Sequence, residues 1–320
     1  MRAFGRLLLA LLVLGLITAV LFLREPLWLE QQYVHLSLFL SHVQSNYVLT
    51  PEGRVHYYDA EPRIPGGGVP LVLIHGLGDR DESWAPMLKR LKRAGFHVYA
   101  PDLLGYGRSP RPTDGDYSMA GESRFVYDFI QALGLQKTDL GGWSMGGWIA
   151  LDLAHDHPEV LNRVVVFDSA GLKFQPTYSF NVLTPQSPDD VQTLWSLMEP
   201  EAKPLPTSVR NAAVRRMASV QDTVEKNLAS MRVGPTVETT LPTLTLPLLI
   251  VWGSTDQLTP LALGRQMHVL APHSELDIVE GCGHLAASLC AARVAPAVAD
   301  FLKSNPPPEG DVRTLANMSR

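Results

Sequence analysis

The stretch Gly142-Trp143-Ser144-Met145-Gly146 places a serine between glycines two positions away on either side. The residues before it (137–144) read as a buried strand and those after it (145–155) as a helix. A turn that tight needs small residues at the flanking positions. It lifts the serine hydroxyl to the tip of the strand and aims the N-terminus of the following helix at the same point. A serine so presented can attack an electrophilic carbon if a base removes its proton and a carboxylate orients the base. Of the ten histidines, His284 alone follows the last predicted strand, in the glycine-flanked loop Glu280-Gly281-Cys282-Gly283-His284. Asp256, in Trp252-Gly253-Ser254-Thr255-Asp256-Gln257, follows the strand before that and is the leading acid, with Asp168 as the second candidate.

An anionic tetrahedral intermediate also needs hydrogen-bond donors where its charge develops. The Met145 N–H, at the start of the helix after the serine, is one. The Leu77 N–H, in His75-Gly76-Leu77-Gly78-Asp79, is the other, because a glycine-containing loop lets backbone approach a substrate. This chemistry calls for no metal and no cofactor. The bland alternative for the glycine–serine motif is a chance strand–helix turn with a capping serine.

Elements that could hold these residues follow from hydrophobic patterning. Residues 46–60 read as a hairpin. Apolar strands at 69–76, 96–103, 137–144, 162–169, 246–253 and 274–281 then alternate with helices at 84–94, 121–133 and 145–155, which predicts an α/β domain whose strands are covered on both faces. Between 170 and 245 the alternation stops, and helix candidates at 188–198, 207–218 and 220–231 suggest a helical lid over the strand ends, or else a surface excursion. The domain is expected to span 46–303, with 304–320, which include three consecutive prolines, as a disordered tail.

A 320-residue chain with 18% charged residues and a net charge of −5 is globular and gives no sign of a nucleic-acid partner. Cys282 and Cys290 match no zinc spacing and no disulfide framework, and are read as two buried thiols. Residues 7–23 are almost wholly apolar, flanked by Arg2, Arg6 and Arg24. Such a run suits a single-pass anchor across a core of about 30 Å, and the competing reading, a cleaved secretory signal, lacks a small-x-small site after it. The charge bias puts the N-terminus in the cytoplasm and the main domain on the other side. Residues 27–45 suggest a juxtamembrane helix lying on the bilayer or against the core, so that 1–45 form an anchor region.

Together, HGLGD (75–79) with Trp84 behind it, PDLLGYGRS (101–109), GWSMGG (142–147), VWGSTDQLTP (251–260) and EGCGH (280–284) resemble the α/β-hydrolase superfamily from about residue 46 to 303. The resemblance implies the α/β-hydrolase fold, a mostly parallel sheet with helices on both faces and a helical lid, and a triad of Ser144, Asp256 and His284. The order serine, acid, histidine leaves His75 a structural role. The apolar N-terminus, DSAGL (168–172) and the lid resemble membrane-anchored monoacylglycerol lipases. This implies hydrolysis of monoacylglycerols or similar single-chain lipid esters. Those lipases in mammals are thought to face the cytoplasm, against the charge bias here. Carbon–carbon bond hydrolases and cofactor-free haloperoxidases keep a Ser-Met-Gly-Gly run and stay open on motif alone, although their usual substrates are soluble. An acyltransferase is a further reading, and a non-catalytic binding protein on this fold is the alternative from another class. Dehalogenases and epoxide hydrolases, which use an aspartate nucleophile, are excluded by Ser144.

Overall fold

Runs such as Leu71-Val-Leu-Ile, Val164-Val-Val-Phe and Leu248-Leu-Ile-Val-Trp bury every side chain only if both faces of a sheet are covered. The computed structural model, which describes residues 4, 6, 7, 9, 11–13, 15, 18, 20, 24–63, 68–307 and 310–316, has that arrangement. Its strands are β1 (Gln44–Thr50), β2 (Gly53–Ala60), β3 (Pro70–Ile74), β4 (His97–Pro101), β5 (Thr138–Trp143), β6 (Leu161–Phe167), β7 (Leu248–Gly253), β8 (Ser274–Val279) and β9 (Val312–Leu315). They form one sheet in the order β1-β2-β4-β3-β5-β6-β7-β8-β9, antiparallel through the β1–β2 and β2–β4 pairs and parallel from β4 onward. Period-two alternation sorts the strands into two cores: Val72, Ile74, Val164, Val166, Ile250 and Trp252 enter one, and Leu71, Leu73, Val165, Phe167, Leu249 and Val251 the other.

The helices are α1 (Pro26–Leu40), α2 (Ala85–Arg93), α3 (Met119–Ala132), α4 (Met145–Asp156), α5 (Pro188–Met198), α6 (Thr207–Ala218), α7 (Gln221–Val233), α8 (Leu261–Leu270), α9 (Ala286–Leu289) and α10 (Ala291–Lys303). Residues of α3, α4 and α8 fill the first core and those of α2 and α10 the second. This is the α/β-hydrolase fold. From β3 the chain moves to β4 on one side and then returns to place β5 on the other, so the strand order reverses between them. Ligands bind outside the carboxyl ends of strands at such a reversal, and here β3 ends before His75 and β5 before Ser144.

The insertion between β6 and β7 carries α5, α6 and α7. Ser187 and Asp190 form a reciprocal capping box at the start of α5, with Pro188 at its first position. Buried Asn227 pins α7 to the core, accepting from the Tyr106 hydroxyl at 2.6 Å and donating to Tyr117 O at 2.9 Å and Glu122 Oε1 at 3.2 Å.

Three expectations are revised. The tail after 303 is not structureless throughout: β9 pairs in parallel with β8, and Arg313 meets the buried carboxylates of Asp277, at 2.7 Å, and Glu275. A four-residue strand behind a proline run has too little pattern to read, but the two carboxylates on β8 supply its partner. The two cysteines are not free thiols; Cys282 and Cys290 form a disulfide, because the short helix α9 folds the chain back on itself. The helix expected over 27–45 ends at Leu40, since β1 takes over from Gln44. The anchor expected over 7–23 lies in large part outside the described residues. Among the described residues no helix is long and apolar enough to cross a membrane.

Candidate active site

Ser144 sits between β5 and α4 with φ +56° and ψ −116°, a conformation that costs a side-chain-bearing residue on the order of 1–3 kcal/mol. The surroundings hold it there. Its N–H donates to Phe167 O at 2.9 Å, and its carbonyl accepts from Gly147 and Ala170, both at 3.0 Å. A Cβ at Gly142 would collide with Gly146 O, and one at Gly146 with Ile74 O, which is why both flanking positions must be glycine. Met145 is the first residue of α4, so its N–H is among those a helix leaves without an internal partner. The loop after β3 runs against the same turn: a Cβ on Gly76 would lie 3.2 Å from Ser144 Cβ and 3.0 Å from the Trp143 ring. Leu77 follows directly.

Asp256 and His284 meet. His284 Nδ1 lies 2.8 Å from Asp256 Oδ2, and both residues are buried. Asp256 Oδ1 accepts the N–H groups of Leu258 at 2.8 Å and Thr259 at 3.0 Å, while the Thr259 hydroxyl donates to Oδ2 at 2.7 Å. Nδ1 thus faces the carboxylate, an arrangement that orients the imidazole ring. The pair is tied to the serine turn through the Trp143 Nε1–H, which donates to His284 O at 2.7 Å. Lid residue Met198 accepts the His284 N–H at 2.7 Å.

Asp168 does not reach this histidine. Its Oδ1 accepts the Gly253 N–H at 2.6 Å, and its buried Oδ2 has no hydrogen-bond partner. Burial first, and then the nearby Asp256 carboxylate, raise its pKa well above the ordinary value, so it favours the neutral acid. His75 is fully buried, with Nδ1 2.8 Å from Gly76 O and Nε2 accepting the Leu103 N–H at 3.0 Å. Burial lowers its pKa, and both nitrogens bind backbone, so it braces the loop that leads to Leu77.

That loop has a second brace that the sequence did not reveal. His56, Asp81 and Asp102 are buried together with ligand-type atoms within 4.8 Å of one another, a group that could hold a metal ion. The contacts describe an ion-pair network. His56 Nδ1 lies 3.1 Å from Asp102 Oδ2 and 2.7 Å from Asp81 Oδ2, and the Asp102 carboxylate also accepts the N–H groups of Asp81 and Arg108 at 3.0 and 2.9 Å. Burial opposes a charged His56, but its hydrogen bonds to Asp102 and Asp81, with their charges, outweigh it and raise its pKa. Burial and then the Asp102 charge push Asp81 up to about 8. The lid rests on the same loop: Arg216 of α6 pairs with Asp79 at 3.2 Å, and Met217 Cε lies 3.0 Å from where a Gly78 Cβ would sit.

The disulfide, Thr259 and Glu199, whose carboxylate binds the His284 loop, also escaped the sequence reading. Only Thr259 left a signal there, within the stretch 251–260. Glu199 depends on a contact between segments far apart in the chain, and the disulfide on the turn that α9 makes between two cysteines eight residues apart.

Residues 69–198 match the family model described as alpha/beta hydrolase fold. Among relatives, 2-hydroxymuconate semialdehyde hydrolase of Pseudomonas sp. (strain CF600) is 30% identical over 254 residues, covering 74% of this chain and 88% of that protein. Lipase 1 of Psychrobacter immobilis is 27% identical over 230 residues, covering 68% and 72%. Among solved structures, one described as a membrane phospholipase A, a novel bacterial virulence factor, superposes with a TM-score of 0.77 at 26% identity, covering 93% of this chain and 98% of that one. With this fold, this motif order and these relatives, the chain belongs to the α/β-hydrolase family and is a hydrolase of that fold.

Proposed function

We propose that the chain is a serine hydrolase of carboxylic esters that works through an acyl-enzyme, and that its substrates are monoacylglycerols or similar single-chain lipid esters. The observation that carries the reading is the buried Asp256–His284 bond of 2.8 Å, tied through Trp143 to a serine held at φ +56°. In this reading His284 Nε2 takes the Ser144 proton as Oγ attacks the ester carbonyl. The N–H groups of Leu77 and Met145 stabilise the oxyanion, each worth about 3–4 kcal/mol in the transition state. The imidazolium, stabilised by Asp256, returns the proton to the departing alcohol. Water activated by His284 then attacks the acyl-enzyme, and Ser144 leaves with its proton restored.

The lipid assignment is supported by the apolar run at 7–23 and by α1, which exposes Trp28, Tyr33, Leu36, Phe39 and Leu40. Glu25, just before α1, pairs with Arg215 of the lid at 3.1 Å, so a bilayer met by α1 would lie beside the lid. We further propose that residues 7–23 anchor the protein and that the catalytic domain lies on the non-cytoplasmic side. The Cys282–Cys290 disulfide supports that side, since disulfides persist in oxidising compartments.

A second reading, carbon–carbon bond hydrolysis, is favoured by the name of the 30% identical relative. The two are separated by assaying purified protein, with Ser144→Ala as control, on p-nitrophenyl esters of increasing chain length, monoacylglycerols and a vinylogous dienoate. Turnover of medium- or long-chain monoacylglycerols by wild type alone supports the lipid reading. Turnover of the dienoate with inert esters would replace it.

A further inference from the structure

The lid does more than cover the strand ends, because its first helix finishes inside the site. Four consecutive contacts run from residues 197–199, at the end of α5, to the two loops that carry Asp256 and His284. Leu197 O accepts the Gln257 N–H at 3.0 Å, and Met198 O accepts the His284 N–H at 2.7 Å. Glu199 Oε2 accepts the Gly283 N–H at 3.2 Å, and Glu199 Oε1 accepts the Leu285 N–H at 2.9 Å. Three successive backbone N–H groups, of residues 283, 284 and 285, are thus all held by acceptors of the lid. The fit leaves no room for adjustment: a Cβ on Gly283 would collide with Met198 O and lie 3.0 Å from Glu199 Cδ. Glu199 is only 8% exposed. A carboxylate withdrawn that far from water needs its hydrogen bonds, and burial accordingly raises its pKa against the pull of those two N–H groups.

We propose that Glu199 is a positioning residue for the His284 base: by clamping the N–H groups on either side of His284 it fixes the aim of the imidazole and couples that aim to the seating of α5. The proposal rests on the serine-hydrolase reading. His284 sits on a glycine-flanked loop, and its ring is directed only at Nδ1, by Asp256 at 2.8 Å and the Thr259 hydroxyl at 3.1 Å, so the backbone beneath the ring needs its own support. Without the clamp His284 keeps its own bonds to Met198 and Trp143, but both flanking N–H groups lose their acceptor, and misplacement of a base by about 1 Å can cost on the order of 100-fold in rate.

The test compares wild type with Glu199→Ala, Glu199→Gln and Arg210→Ala. The last removes the exposed ion pair to Asp189 at the other end of α5 and touches neither loop. Each is assayed for kcat and KM on a short-chain p-nitrophenyl ester, for the second-order rate of fluorophosphonate labelling, and for thermal midpoint. Glu199→Ala is expected to lose about 10- to 100-fold in kcat and in labelling rate with KM little changed. Glu199→Gln keeps one acceptor oxygen but turns an amide N–H toward the other backbone donor, so it should fall between Ala and wild type. Being nearly isosteric, it carries the test if the alanine variant does not fold. Arg210→Ala should keep wild-type kcat. Wild-type labelling rates in both Glu199 variants, a rise in KM alone, or an equal loss in Arg210→Ala would overturn the proposal. If wild type itself does not label at a serine that Ser144→Ala removes, the hydrolase reading fails, and the proposal fails with it.

Discussion

Two buried aspartates lie close together near His284, and their different surroundings imply different work. Asp256 has its oxygens engaged by the Thr259 hydroxyl, two backbone N–H groups and His284. Asp168 has one oxygen on the Gly253 N–H and one without a partner. Asp256→Asn should therefore lower kcat by about 10⁴, because the amide orients the wrong imidazole tautomer, whereas Asp168→Asn should keep most of it. Steady-state rates on one ester decide the point; equal losses would put both carboxylates in the proton path. Asp168 also predicts a pH dependence. Its pKa is raised on folding, so above about pH 4 the native state keeps a proton that the unfolded chain has released, and stability falls as pH rises toward the raised value. Asparagine removes that fall. The thermal midpoint of Asp168→Asn relative to wild type should increase between pH 4.5 and 8.5, and a constant difference would contradict the assignment. In the sequence Asp256 stands out by its place after a late strand, and in the fold it lies 2.8 Å from His284. The neutral tendency of Asp168 was not legible, because it depends on burial and on Asp256, whose nearness no spacing reveals.

Elements that end on backbone turns were the readable ones. Glycine pairs, prolines and caps mark β5, α4 and α5 because the local chain geometry itself demands those residues. Features fixed by three-dimensional contacts were not readable: β9 exists through Arg313 and the distant β8 carboxylates, and the disulfide, though local, through the turn made by α9. That disulfide closes the short loop holding His284. Loop-closure entropy for eight residues gives a stabilisation of about 2–3 kcal/mol. Cys282→Ser with Cys290→Ser should lower the unfolding free energy, read by chemical denaturation, by that amount, and reductant should do the same to wild type while leaving the double variant unaffected. A double variant as stable as wild type would show that α9 and Glu199 suffice to hold the loop. The other anchored element, α7, depends on Asn227. Replacing it with alanine leaves the buried Tyr106 hydroxyl and Glu122 without that partner, at a cost of about 2–4 kcal/mol readable by chemical denaturation.

Across the whole chain, the sheet, the serine turn, the histidine loop and the lid converge on the strand ends at the reversal between β3 and β5. The proposed anchor at 7–23 and the apolar side chains exposed on α1 carry a prediction about bilayers. The 320-residue chain should sediment with liposomes, and a form lacking residues 1–24 should bind them more weakly yet hydrolyse a soluble short-chain ester at an unchanged rate. Loss of that hydrolysis on truncation would tie the anchor region to the integrity of the site. The central claim is narrower: Ser144 is a nucleophile activated by His284 and Asp256. It is tested most directly by treating the folded protein with a fluorophosphonate and locating the adduct by peptide mass spectrometry. The account predicts a single phosphonyl group on Ser144, formed at least about 100-fold more slowly in His284→Ala and absent from Ser144→Ala. Labelling at another residue, or a His284→Ala variant that reacts as fast as wild type, would contradict it.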